Sequence, residues 1–271
     1  MAANALLAVG KLIAGIVGHS YALIADAVES MADIVGSLIV WFGMRIAIRD
    51  ADENHPYGHG KAEPLAAMTV GVMLLGAAGG IAIAAIREIV TPHHAPAPFT
   101  LIVLLAVVVI KEVLYRIARR AGEDAESSAL LVEALHHRSD ALTSTAAALG
   151  IGVALWGGAG WEPADDFAAL FAAGVIAVNA VRIMRRPLDE LMDAAPPEMV
   201  ERVRVVAREV AGVVDVEKTL VRKGGMRYWV DIHVEVDPDM SVRRAHGIAH
   251  DVKDHLCASL ANVQDVLVHV E

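Results

Sequence analysis

Several groups of side chains in this 271-residue chain have the types and spacing that hold a divalent metal. Glu29 and Asp33 lie four residues apart in the run Ala-Asp-Ala-Val-Glu-Ser-Met-Ala-Asp, residues 25–33. On a helix that spacing puts both carboxylates on one face. Asp26 stands one turn earlier and competes with Glu29 for the same role. His136 and Asp140 repeat the four-residue spacing in Leu-His-His-Arg-Ser-Asp, residues 135–140, where His137 reads as a neighbour. Two residues from each of two helices make four ligands, the number a tetrahedral divalent metal takes. Mixed oxygen and nitrogen donors suit zinc, iron or manganese better than copper(I).

Two more groups lie outside these helices. Asp52, His55 and His59 fall in a polar loop, where Gly58 and Gly60 let the backbone bend so that the side chains converge. A solvated loop with two ordinary histidines is the competing reading. Near the C-terminus, His233 and Glu235 share one strand face, His269 and Glu271 share another, and His246 and His250 are four apart on a helix. These make one or two metal sites, or else surface histidines.

The elements that must position these groups differ along the chain. Hydrophobic residues make up 56% of it, against the 45–50% usual for a soluble domain. The excess lies before about residue 185. Six apolar segments, 2–19, 21–48, 64–90, 99–120, 125–156 and 164–186, are expected as membrane helices, each able to cross a core of about 30 Å. A carboxylate in such a helix is costly and reads by default as functional, which favours Asp33 and Asp140 as ligands. Lys111 and Glu112, mid-way along the fourth segment, read as a structural ion pair or a packing contact. Gly71, Gly76, Gly79 and Gly80 suggest close packing of the third.

Lys and Arg cluster at one end of the bundle: Arg45, Arg49 and Lys61, then Arg116, Arg119 and Arg120, then Arg182, Arg185 and Arg186. The opposite loops carry none, so both termini are expected in the cytoplasm. Pro187 and Pro196-Pro197 mark a linker. Beyond it the expected order is helix 198–210, strand 214–222, a Gly224-Gly225 turn, strand 226–236, helix 241–260 and strand 263–270. This αββαβ order describes a small two-layer α+β domain of ferredoxin-like type. The division is therefore a membrane domain 1–187, a linker 188–197 and a soluble domain 198–271. The net charge of −10 argues against a nucleic-acid partner. The single cysteine, Cys257, excludes an intrachain disulfide and a thiolate-rich metal site.

The runs Ser-Tyr-Ala-Leu-Ile-Ala-Asp-Ala-Val-Glu-Ser-Met-Ala-Asp (20–33), His-Pro-Tyr-Gly-His-Gly-Lys-Ala-Glu (55–63), Leu-His-His-Arg-Ser-Asp-Ala-Leu-Thr-Ser (135–144) and Trp-Val-Asp-Ile-His-Val-Glu-Val-Asp (229–237) resemble the cation diffusion facilitator family, in particular its bacterial zinc/iron-type exporters. The resemblance implies a homodimer in the inner membrane, embedded in lipid, with cytoplasmic metallochaperone-like domains. It implies divalent metal efflux in exchange for protons, zinc foremost, with iron(II), cadmium and manganese also tolerated, and metal acting both as substrate and as regulator. The transport site falls on Glu29, Asp33, His136 and Asp140, and the loop site on Asp52, His55 and His59. The cytoplasmic site falls on His233, His246, His269 and Glu271, with Asp215 standing where the family has a histidine. A family ion pair maps onto Lys61 and Asp193. Two other classes stay open: a membrane-anchored metal sensor or assembly scaffold of the same fold, and an intramembrane metalloenzyme. The enzyme reading is weak, because no nucleophile-positioning group or protease-like histidine motif accompanies the ligands.

Overall fold

Six long helices precede a small mixed domain. They are α1 (Ala2–Val17), α2 (Tyr21–Ala47), α3 (Ala62–Val90), α4 (Pro98–Asp124), α5 (Ser128–Trp156) and α6 (Ala164–Leu191). The mixed domain follows in the order α7 (Pro197–Arg208), β1 (Asp215–Gly224), β2 (Arg227–Glu235), α8 (Val242–Ser259) and β3 (Val263–Val270). The computed structural model describes residues 2–90, 96–124, 128–157, 160–161 and 163–271, and within its helices the side chains of 2–4, 118, 122, 124, 128–137 and 139 fall outside that description. Two compact units result, one of residues 1–38 with 70–182 and one of 39–69 with 183–271.

The helical unit has its polarity turned outward-in. Leu6, Ile13, Val72, Ile83, Ile102 and Phe171 are exposed, whereas Lys11, Asp26, Lys111, Asp140, Ser144 and Asp165 are buried. Water selects the opposite arrangement, and hydrocarbon selects this one. Among the described residues, α3 and α6 are each long and apolar enough to cross a bilayer by length and composition alone.

Small residues bring the helices together. Ala22 and Leu23 of α2 pack on Leu101 and Leu104 of α4 and on Ala147, Ala148 and Ile151 of α5. Ala25 of α2 packs with Ala78, Ile81 and Ala85 of α3 and with Ala169, Ala173 and Ile176 of α6. In this contact the buried α3 residues are alanines and an isoleucine, not Gly76, Gly79 or Gly80. A Cβ added at Gly76, Gly79 or Gly80 meets nothing within 4 Å, because these three stand on the exposed face.

The start of α2 shows how backbone polar groups are met inside such a bundle. Asp165, at the start of α6, accepts from Ser20 Oγ (2.8 Å) and from the backbone N–H groups of Tyr21 (2.8 Å) and Ala22 (3.4 Å), while Ser20 Oγ accepts from Leu23 N–H (3.2 Å). A helix end in hydrocarbon needs its free N–H groups satisfied by protein.

Pro187 does not end α6, as the sequence suggested. The helix runs on to Leu191 and stops where Asp193 takes a left-handed φ of 55° and Ala194 N–H reaches back to the Asp189 carbonyl (2.9 Å).

In the mixed domain the sheet order is β1-β2-β3, antiparallel between β1 and β2 and parallel between β2 and β3. Val230, Ile232 and Val234 alternate along β2 and are buried against Val203 and Ala207 of α7 and Ile248, Val252 and Leu256 of α8. Asp231, His233 and Glu235 therefore point to the other face.

Candidate metal centres

On α2, Asp26, Glu29 and Asp33 recur at intervals of three and four and so share a face. Across from them, α5 carries Asp140 and Ser144, both buried. The acids lie close enough that the negative charges of Asp140, Asp26 and Asp33 all act on Glu29, opposed by the positive charge of Lys11. His136 lies one turn before Asp140 in α5, and its side chain is outside the described residues, as is that of His137.

Asp26 is occupied. Lys11 of α1 donates to its Oδ2 (2.6 Å) and to its carbonyl oxygen (3.1 Å), and also to Ser30 Oγ (2.6 Å). Ser144 Oγ donates to Asp26 Oδ1 (2.5 Å). Both carboxylate oxygens of Asp26 are thus engaged by protein, tying α1, α2 and α5 together.

Lys111 does not pair with Glu112. Glu112 accepts from Arg116, one turn along α4 (2.8 Å), because adjacent residues on a helix point apart. Lys111 instead forms an ion pair with Asp140 across the α4–α5 contact. Nothing in the sequence pattern pairs Lys11 with Asp26 or Lys111 with Asp140; only the register of neighbouring helices does.

In the loop between α2 and α3, Asp52 Oδ1 accepts from the backbone N–H groups of His55 (2.7 Å) and Asn54 (2.9 Å) and lies 3.0 Å from His55 Nδ1. Asp52 Oδ2 lies 3.4 Å from His59 Nε2, and the two imidazoles are 4.3 Å apart. The His55 backbone N–H, above all, holds the Asp52 carboxyl below the usual carboxylate range. These three residues present ligand atoms within 4.8 Å of one another.

The loop rests on the β1–β2 hairpin of its own unit. Gly60 packs so near Gly224 that a Cβ would lie 2.2 Å from the Gly224 carbonyl oxygen. Tyr57 lies under the Arg222 guanidinium (4.5 Å) with its ring 6.5 Å from Trp229. Lys61 donates to Asp193 (2.9 Å). Glu190 accepts from Lys223 (3.0 Å) and from the Gly225 N–H (2.7 Å).

The strand cluster follows from period and register. His233 sits opposite His269 in the parallel β2–β3 pair, so their rings lie 4.8 Å apart. Glu271, two residues on, brings Oε1 to 2.7 Å from His233 Nδ1 and 3.6 Å from His269 Nε2. The sequence pattern passed over Glu217. The β1–β2 register slips between Val216 and Lys218, bulging Glu217 toward the cluster. Its hydrogen bond with Glu271 pushes the Glu217 carboxyl up and holds that of Glu271 down.

The structure does not bring His246 or Asp215 into this cluster. α8 covers the Ile232 face of the sheet, opposite His233, and His246 instead meets His250 at 3.1 Å between Nε2 atoms. Asp215 Oδ1 is taken by its neighbour's Val216 N–H (2.7 Å) and by Arg208 (2.8 Å). That N–H, and then Arg208, hold its carboxyl below the ordinary range.

Carboxylates gathered inside an apolar bundle, with carboxylates and imidazoles gathered in two places outside it, suit a membrane protein that handles divalent cations. The family described as "Cation efflux transmembrane domain" matches residues 1–192, and "Cation efflux protein, cytoplasmic domain" matches 195–271. The chain belongs to this family, the cation diffusion facilitators. It is similar to the manganese efflux system protein MneP of Bacillus subtilis, 32% identical over 99% of this chain and 92% of that one. The magnetosome protein MamM of Paramagnetospirillum magneticum is 31% identical over 100% and 86%. The cation-efflux pump FieF of Shewanella oneidensis is 27% identical over 96% and 87%. A solved cadmium form of the MamM C-terminal domain is 31% identical over 27% of this chain and 93% of its own, with a TM-score of 0.27. Members of the family are transporters of divalent metal cations and not enzymes. The protein is thus a divalent metal efflux protein with a helical transmembrane domain and a cytoplasmic domain of a kind that dimerises.

Proposed function

We propose that this chain exports a divalent cation in exchange for protons through Glu29, Asp33, His136 and Asp140. The observation that carries the reading is the burial of Asp140 of α5 within electrostatic reach of Glu29, in a bundle whose outer face is apolar. Metal binds deprotonated ligands, so loading releases protons and protonation from the far side expels the metal. An imidazole such as His136, ordinarily titrating near about 6.5, is suited to that exchange. The reading includes six spans in the inner membrane, both termini in the cytoplasm, a homodimer, and rocking of helix groups that exposes the site to each side in turn. It keeps the division into a membrane domain, a linker and a ferredoxin-like domain, with the linker narrowed to residues 192–196 between α6 and α7.

Three oxygen donors and one nitrogen accept zinc, iron(II), cadmium and manganese. Zinc and manganese come first, the second because a relative of this length and identity is named for manganese. The loop trio Asp52, His55 and His59 and the strand cluster His233, His269 and Glu271 bind metal on the cytoplasmic side. Metal held there favours apposition of two cytoplasmic domains and so biases the transporter. The Lys61–Asp193 pair braces the loop against the end of α6.

The test is metal-driven proton flux in proteoliposomes, with zinc and manganese in competition. Wild-type protein moves protons on metal addition, and an Asp33→Ala, Asp140→Ala double variant does not. Full flux from that variant would remove the site assignment. Saturable metal binding by wild type without any flux would favour the sensor or scaffold reading instead.

A further inference from the structure

The two buried lysines of the bundle differ in what they hold. Lys11 is fixed by Asp26 Oδ2, the Asp26 carbonyl and Ser30 Oγ, and the Asp26 carboxylate is also bound by Ser144; none of these is a proposed ligand. Lys111 is bound to Asp140, which is itself a proposed ligand. An ammonium group on a carboxylate and a metal on the same carboxylate exclude one another, since both use the same lone pairs.

We propose that Lys111 is a tethered counter-ion: it occupies Asp140 while the carrier is empty and yields that carboxylate to the incoming metal. This rests on the reading of Asp140 as a transport ligand. It makes Lys111 a positioning residue. In the returning carrier an Asp140 that held neither Lys111 nor one of the exchanged protons would cross between the two exposed states as a bare buried charge, which is costly. With Lys111 on it, the carboxylate crosses paired. In the loaded carrier the metal takes that part and Lys111 moves aside. The lysine therefore assists the return of the empty carrier and opposes metal binding, two effects of one contact.

The two steps separate by transport mode. Metal-for-metal exchange in proteoliposomes cycles only the loaded carrier, whereas net efflux also needs the empty carrier to return. For Lys111→Met in the full chain, net efflux is expected to fall by about tenfold or more while exchange stays within about twofold and half-saturates at lower metal concentration. Retained exchange also shows that this variant folds. Lys111→Arg grips a carboxylate with two donors, and is expected to support net efflux with a higher half-saturating metal concentration.

Equal loss of both modes in Lys111→Met, or undiminished net efflux, overturns the proposal. An unchanged half-saturation in Lys111→Arg overturns it independently, should the methionine variant not assemble. Asp140→Asn is the control for the underlying reading. If both modes survive in it, the transport site lies elsewhere; if both are lost while Lys111→Met loses both equally, only the counter-ion role fails.

Discussion

Of the three acids on one face of α2, Asp26 is set apart by its partners and not by its chemistry. Lys11 and Ser144 take both of its oxygens. A buried ion pair is worth little against an apolar replacement, but breaking one costs about 3–5 kcal/mol because a bare charge is left behind. Lys11→Met alone is therefore expected to lower the thermal midpoint of the purified protein sharply. Lys11→Met with Asp26→Leu should regain most of it and still transport metal in vesicles. Loss of transport in a stable double variant would return Asp26 to the list of ligands. The spacing of Glu29, Asp33, His136 and Asp140 was readable because a helix fixes which side chains share a face. The partners of Lys11 and Lys111 were not readable. Each depends on how one helix is seated against another, and no local period records that.

At the level of the element, the mixed domain was largely legible. The αββαβ order follows from period-two runs such as residues 228–235 and from the Gly224-Gly225 turn, and the observed order is the same. The β-bulge at Glu217 left no mark, since one inserted residue alters pairing and not composition. Nor did the continuation of α6 past Pro187, which the contacts of the 189–194 turn decide. His246 lies outside the strand cluster for a different reason: α8 packs on the apolar face of β2, that of Val230, Ile232 and Val234, and His233 points to the other. One pair ties α8 to β3, where Lys253 donates to Asp265 at 2.6 Å. Hydrogen bonding to Lys253 holds the Asp265 carboxyl below its ordinary value, and the same bond raises Lys253. The carboxylate's contribution is whole above its ordinary pKa, about 3.9, and disappears as pH falls through the depressed value. The lysine's is whole below about 10.4 and disappears as pH rises through the raised value. Both groups are largely exposed, so the pair is worth under about 1 kcal/mol. Lys253→Met should flatten both limbs of the melting-temperature profile slightly, and a profile unchanged at the acid end would show that the pair contributes nothing.

For the whole molecule, the apolar surplus before residue 185 announced the helical unit, and its buried charges gave the reason to look for a metal path within it. The same charges constrain how the chain enters a bilayer. Lys11 emerges from the ribosome first, in a helix of 16 residues, and a lysine at mid-membrane opposes insertion by about 2.5–3.5 kcal/mol. Its partner Asp26 follows only 15 residues later, so Lys11 is paired as soon as α1 and α2 form a hairpin. Lys111 waits 29 residues for Asp140, and α4 must dwell beside the insertion machinery until α5 arrives. With a glycosylation reporter placed after each segment, α1 alone should insert poorly and the α1–α2 pair well, while Lys11→Leu lets α1 insert by itself. Equal insertion of α1 with and without that lysine would show that the charge is accommodated some other way. The ion pairs that organise the finished site thus also set a timetable: the nearer pair closes during synthesis of the first hairpin, and the one on Asp140 closes last, once the polar heart of the transporter has its second wall.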